Sequence, residues 1–535
     1  GEGVRALYEG ALARSWESED FEGLERVWEE SGFAPLGAVV VSEDDPAWVA
    51  GLALAAGRGQ LTVWSDGEQR NPGVMMREGE MAALDGEIRA ALGASGRPWE
   101  GLGDEIEAVT LCVNRPTRYR EGDEPMAVTD RIGRHGVGRR YAFGGMIFGD
   151  ASESAYRAMC ALFLQPQSAW MFDGYGASFA PPYAVAGGAE VARSQGWNVI
   201  ALEEPTNTPA TWRRATRWGV GQGFVHVNTS GRFDRFDVGK GSLYGHDVPA
   251  LERPAIVHFI HSFSAQRLAS PGSIATRFLE NGAYIYVGAM DEPRLNAFLP
   301  VERLMRRLFA SMPMGGAARS GARPTVWKVN YFGDPLMVMG PDSPRADEGV
   351  GLEGTSEVET EMRSALGERD LAGAISALVM PGRDGDAVRL AKASVAEAEA
   401  EAEEKAGEGE SALVDPALAR AAVGAAYRSG EADVYLDLCE SLIASGDVTG
   451  RDVDRMWGAM RPRLHATDRE SVVRALRENI RTSSPIEDAR EIAPAVARLL
   501  GREAARSMID ELEAEADRAK DREALNRLSR RYRSR

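Results

Sequence analysis

Between about Gly37 and Gly340, ten short runs of β-branched and aromatic residues alternate with longer stretches of helical period. GAVVV, QLTVW, EAVTLCV, YAFGGMIF, SAWMF, WNVIAL, GFVHV, AIVHFI, AYIYVG and TVWKVNYF read as strands. DDPAWVAGLALAAGR, SESAYRAMCALFLQ, PATWRRATRW, SIATRFLENG and VERLMRRLFASM read as helices, several opened by Ser or Asp at an N-cap position. Such alternation predicts an α/β body with a mostly parallel sheet flanked by helices, because parallel neighbours need a crossover long enough to hold a helix. AIVHFI is apolar almost throughout, as a central strand covered on both faces must be. Ligand and catalytic groups in such sheets collect just past the carboxyl ends of strands, where Ser230 and Ser262 fall.

After MGPDSPRADEGVG the β-branched runs disappear. AEAEAEAEEKAGEGE, residues 396 to 410, carries no apolar stripe and reads as a solvated helix or charged linker. From Asp415 onward, apolar residues recur at spacings of three and four between short Gly, Ser or Asp breaks, which predicts an all-α C-terminal domain of paired amphipathic helices. No fixed period establishes a repeat. With 535 residues, more than one core is expected. The divisions are an N-terminal α/β subdomain over 1–135, a second over 136–342, an acidic linker or helix over 343–414, and the helical domain over 415–535.

Hydrophobic residues make up 44% and charged residues 27%, a soluble globular balance, and no apolar run reaches the length of a membrane span. The formal net charge of -19 argues against nucleic acid as a partner. The closing basic stretch RLSRRYRSR reads as a solvated helix end. Three scattered cysteines, Cys112, Cys160 and Cys439, indicate neither a disulfide scaffold nor a zinc site. Starting at Gly1 fits removal of an export signal or an artificial chain start.

Two phosphate-binding patterns fail on spacing. VGKGS at 238 to 242 lacks the upstream glycine and separates Lys240 from Ser242. GYGASF at 174 to 179 has Phe179 where a third glycine belongs, followed by two prolines. No histidine pair has metalloprotease spacing, and His258 is expected to be a buried, hydrogen-bonded core residue. No metal or cofactor is expected.

A strand ending in NTSG at 228 to 231 precedes, by about thirty residues, a strand ending in IHSFSA. There follow the helix SIATRFLENG, the strand GAYIYVG, and Gly333-Asp334-Pro335; upstream stands FGGMIFGDASESAYRAMCALFL. This order resembles the gingipain-like peptidases, caspase-fold cysteine proteases in which a His-Gly loop follows one strand and the nucleophilic cysteine the next. The likeness covers about 140 to 340, more weakly 35 to 135, and not the helical tail. It implies a caspase-like sheet and leans toward an exported protein. At the dyad positions this chain carries Ser230, before Gly231, and Ser262.

A serine needs a positioned base to attack at a useful rate, whereas a cysteine is partly thiolate near neutral pH. The resemblance therefore implies a peptidase fold without its dyad, acting in binding or assembly on a protein or extended peptide. Asn228, Thr229, Ser230, His261 and Ser264 would line a polar groove beside the loops SGRFDRFD and GYGASFAPPY, and a peptide would add to a sheet edge. The alternative is a hydrolase using Ser262 with a loop histidine such as His246 and Asp247 as orienter. The C-terminal helices offer faces through which the chain could form a homo-oligomer.

Overall fold

The computed structural model describes residues 2–176, 181–319, 328–339, 355–380, 382–404 and 413–533. Part of GYGASFAPPY, the start of TVWKVNYF, most of MGPDSPRADEGVG and the end of the Ala/Glu run lie outside them. Backbone contacts divide the chain into two units, Gly1–Trp212 with Val220–Asp347, and Arg213–Gly219 with Glu348–Arg535.

The ten apolar runs are ten strands of one sheet: β1 (Gly37–Val41), β2 (Leu61–Trp64), β3 (Ala108–Cys112), β4 (Phe143–Ile147), β5 (Ser168–Asp173), β6 (Asn198–Leu202), β7 (Phe224–Asn228), β8 (Ala255–Ile260), β9 (Ala283–Ala289) and β10 (Val329–Phe332). Their order is β2-β1-β3-β4-β10-β9-β8-β7-β5-β6. All neighbours are parallel except β9 and β10, which pair antiparallel with Tyr286 opposite Phe332. The sheet is thus two five-stranded parallel blocks of opposite direction, and their carboxyl ends open on opposite edges.

Alternate side chains of each strand enter different layers. Ala38 and Val40, Val109 and Leu111, Val225 and Val227, and Val257 and Phe259 join one core running across the whole sheet, closed by Met81, Leu84 and Ile88 of the helix Glu78–Ala94 and by Phe278 of Ile274–Glu280. On the opposite face the core is double. Val39, Val41 and Cys112 pack with Leu54 of the helix Trp48–Arg58, while Ile256, Ile260 and Ile285 pack with Leu304 and Leu308 of Val301–Phe309. That last helix buries Val301, Leu304, Met305 and Leu308, the i, i+3, i+4, i+7 stripe its sequence announces. Asp150 caps the helix Ala151–Phe163, accepting from the Glu153 backbone N–H at 2.8 Å, and Glu153 completes a capping box.

Gly333-Asp334-Pro335 follows β10, at the carboxyl edge of the first block. Asp334 is fully buried, receives Arg58 Nε at 2.5 Å, and accepts the Leu336 N–H at 2.9 Å. Its role here is to tie β10 to the helix Trp48–Arg58.

Among the described residues the second unit is all helical. Its principal packing joins helices at most two apart in chain order, from Thr355–Gly367 through Pro416–Arg428 and Ala432–Ser445 to Arg502–Glu515 and Ala519–Ser529. Ion pairs such as Arg420–Asp452 and Arg461–Glu491 link neighbouring segments. Among the described residues no helix is long and apolar enough to cross a membrane.

Candidate functional site

The carboxyl ends of β5, β6, β7 and β8 lie side by side, because the parallel ladder aligns Asp173 with Asn228 and Asn228 with Ile260. Four short segments leave this edge: Gly174-Tyr175, Glu203-Glu204, Thr229-Ser230-Gly231 and His261-Ser262-Phe263. The residues read as loop after Asn228 form a small three-stranded antiparallel sheet, Ser230–Arg232, Arg235–Val238 and Gly241–Tyr244. VGKGS belongs to its second hairpin, with Val238 opposite Gly241 and Gly239 at φ +52°.

His261 is buried against this small sheet. Its Nε2–H donates to the Arg235 carbonyl at 3.1 Å, and burial pushes its pKa down to about 4, so near neutral pH the ring is uncharged with Nδ1 bare. The ring explains Gly231: at φ +151°, a Cβ there would stand 2.1 Å from the Arg235 carbonyl oxygen and 2.7 Å from His261 Nε2. Hence Ser230-Gly231 and His261 are brought together, with Tyr175 donating to the Thr229 carbonyl at 2.7 Å beside them.

Ser262 is half-buried, and its hydroxyl makes no hydrogen bond to His261, His246 or any other of the described residues. The next residue, Phe263, sits at φ +65° and spends its N–H on the Asp291 carbonyl at 3.2 Å. Ser264 is fully buried and turned toward β9, where a Cβ on Gly288 would lie 2.6 Å from its hydroxyl. His246 and Asp247 sit together in a short 3-10 turn. Their side chains are 3.4 Å apart, the imidazole stacks on Tyr244, and Asp247 accepts the Tyr244 N–H at 3.1 Å. Cys112, Cys160 and Cys439 are all buried.

Asn228 donates to the Tyr183 carbonyl at 3.0 Å and to Asp173 at 3.4 Å, while its buried Oδ1 has no partner among the described residues. Burial raises Asp173 to about 6, with the nearby Glu203 and Glu204 adding to the rise. Asp173 and Tyr175 escaped the sequence reading, although Asp173 terminates SAWMF as Asn228 terminates GFVHV; the rule that drew attention to Ser230 and Ser262 applies equally to it.

His258 is fully buried and hydrogen-bonded, as expected, to a partner the linear chain does not reveal: His226 stands opposite it on β7. Among the described residues no group of three or more His, Cys, Asp or Glu side chains could hold a metal ion.

No family model matches the chain, and no curated protein is similar to it. A solved structure described as "Structure of Protease" is similar at 11% identity with a TM-score of 0.38, covering 58% of this chain and 81% of its own.

Proposed function

We propose that the chain is a non-catalytic relative of the gingipain-like, caspase-fold peptidases that binds an extended segment of another protein at the carboxyl ends of β5, β7 and β8. The observation that carries this reading is the Ser262 hydroxyl, at the position the resemblance gives to the nucleophile, which makes no hydrogen bond to an imidazole among the described residues. A serine lacking a hydrogen-bonded base stays a poor nucleophile. The adjacent Phe263 N–H already donates to the Asp291 carbonyl and so is not free to serve an oxyanion.

Binding chemistry is nonetheless present. Asn228 Oδ1 is a buried acceptor with no donor among the described residues, and a buried acceptor left unpaired costs about 1–3 kcal/mol. A peptide N–H or a cationic side chain satisfies it, and Asp173, Glu203 and Glu204 favour the cation.

The test uses the full chain with a serine-reactive fluorophosphonate and a panel of extended peptides with and without basic residues. The expected result is no labelling of Ser262 above a Ser262→Ala control, together with saturable binding of the basic peptides that Asp173→Asn weakens. Labelling confined to Ser262, with peptide cleavage lost in Ser262→Ala, would overturn the proposal in favour of a hydrolase.

A further inference from the structure

The geometry points to a second, independent interface: β6 pairs with β6 of a second copy, antiparallel about a two-fold axis at Ile200. β6 ends the main sheet, and its ladder neighbour there is β5. Asn198 donates to the Gln167 carbonyl at 3.3 Å, so Asn198, Ile200 and Leu202 turn their backbone groups toward β5. By alternation, the N–H and C=O groups of Val199 and Ala201 point away from the sheet.

Natural sheets blunt such edges with lysine, proline, bulges or a covering element. NVIAL contains neither charge nor proline, its register with β5 is regular, and Ile200 is 41% exposed. The opposite end is handled differently: no β2 residue is exposed, and the Tyr8 hydroxyl lies on Thr62 Oγ1 at 3.0 Å.

A second copy fits this edge better than an arbitrary strand because the edge is self-complementary. A two-fold axis at Ile200 sets Val199 of each copy opposite Ala201 of the other. Both residues have their backbone groups outward, which makes two hydrogen-bonded pairs flanking an Ile200–Ile200 contact. Charges agree with the same orientation. Arg193 lies along the edge at the start of the strand, its guanidinium 3.3 Å from the Val199 carbonyl, while exposed Glu203 and Glu204 follow its end. Antiparallel pairing brings the acidic end of one copy to the basic end of the other. The Val199 carbonyl keeps a second lone pair for the partner.

The test is the mass of the full chain by multi-angle light scattering at micromolar concentration, followed by directed cross-linking. The expected mass is twice 57.8 kDa. Ile200→Lys and Ala201→Pro should each return it to a monomer with the thermal midpoint retained, since the Ala201 N–H serves no bond to β5. Ile200→Cys should form an intermolecular disulfide on mild oxidation, because facing residues of a non-hydrogen-bonded pair come within about 4.5 Å. Val199→Cys should not, and the native cysteines are buried. A monomer whose Ile200→Cys form fails to cross-link overturns the inference and leaves the edge to a peptide or to solvent. A dimer unaffected by Ile200→Lys and Ala201→Pro places the interface elsewhere, and a dimer they dissociate but Ile200→Cys cannot cross-link overturns the two-fold register.

Discussion

His226 and His258 face one another on adjacent parallel strands, Nδ1 to Nδ1 at 3.0 Å, with their rings stacked at a centroid distance of 5.1 Å. Both are wholly buried, and Phe298 lies edge-on to His258. One ring must donate through Nδ1–H and the other must accept through a bare Nδ1, and burial keeps both rings uncharged, so their tautomers are opposite. Burial drives His258 down to about 3 and depresses His226 as well, the neighbouring ring adding to the effect there.

Stability should therefore fall on the acid side of neutrality. An unfolded histidine takes up its proton near pH 6.5 while the folded pair resists it, so the unfolded state binds more protons throughout that window. The histidine pair's contribution to stability is complete above about pH 6.5 and lost progressively below it; His258 alone removes on the order of 2 kcal/mol by about pH 5. Urea unfolding midpoints across this range measure the slope. His226→Leu or His258→Leu alone should destabilise, because each leaves a buried imidazole unpartnered, whereas the double substitution should be milder than their sum and flatten the pH dependence. A pH dependence of the midpoint that is the same in the wild type and the double variant would refute the account.

Gly231→Ala should destabilise the candidate site. A methyl group there would press on the Arg235 carbonyl and the His261 ring at a backbone angle that side chains rarely adopt. A loss of roughly 2–3 kcal/mol is expected from strain plus displacement of His261, read from urea unfolding. Ser230→Ala, one residue away, should cost far less.

Asp173→Asn should separate stability from binding. The folded carboxyl keeps its proton to about pH 6, above its unfolded value, so the ionised form opposes folding at neutral pH and that opposition fades as pH falls through 6. The substitution should raise the thermal midpoint at neutral pH, raise it less in acid, and weaken basic peptides. A parallel loss of stability and binding would instead mark Asp173 as structural.

Asp334→Ala should cost about 3–5 kcal/mol, because it strands the Arg58 guanidinium beside a buried gap. Asp334 lies on the edge opposite Asn228, so peptide affinity per folded molecule should be unchanged. Reduced affinity in the folded variant would show that the two edges communicate.

Much of the architecture was legible in the linear chain. The ten apolar runs are the ten strands, because a strand buried on both faces must be apolar at successive positions, and GAVVV or AIVHFI satisfies that requirement locally. The helix Val301–Phe309 was equally plain from its spacing. The strands between Ser230 and Tyr244 were not, since three- and four-residue strands carrying Gly, Asp and Arg have no apolar alternation to display. Only the tertiary structure decided the rest. Nothing local to TVWKVNYF states that β10 runs against β9, which is what sends Asp334 and Asn228 to opposite edges. The pairing of His226 with His258, the alignment of Asp173 with Asn228, and the place of His261 over Gly231 all depend on ladder register between segments about thirty or more residues apart. Periodicity along the chain reports which residues a strand buries; which residues it buries them against is settled only when the strands pair.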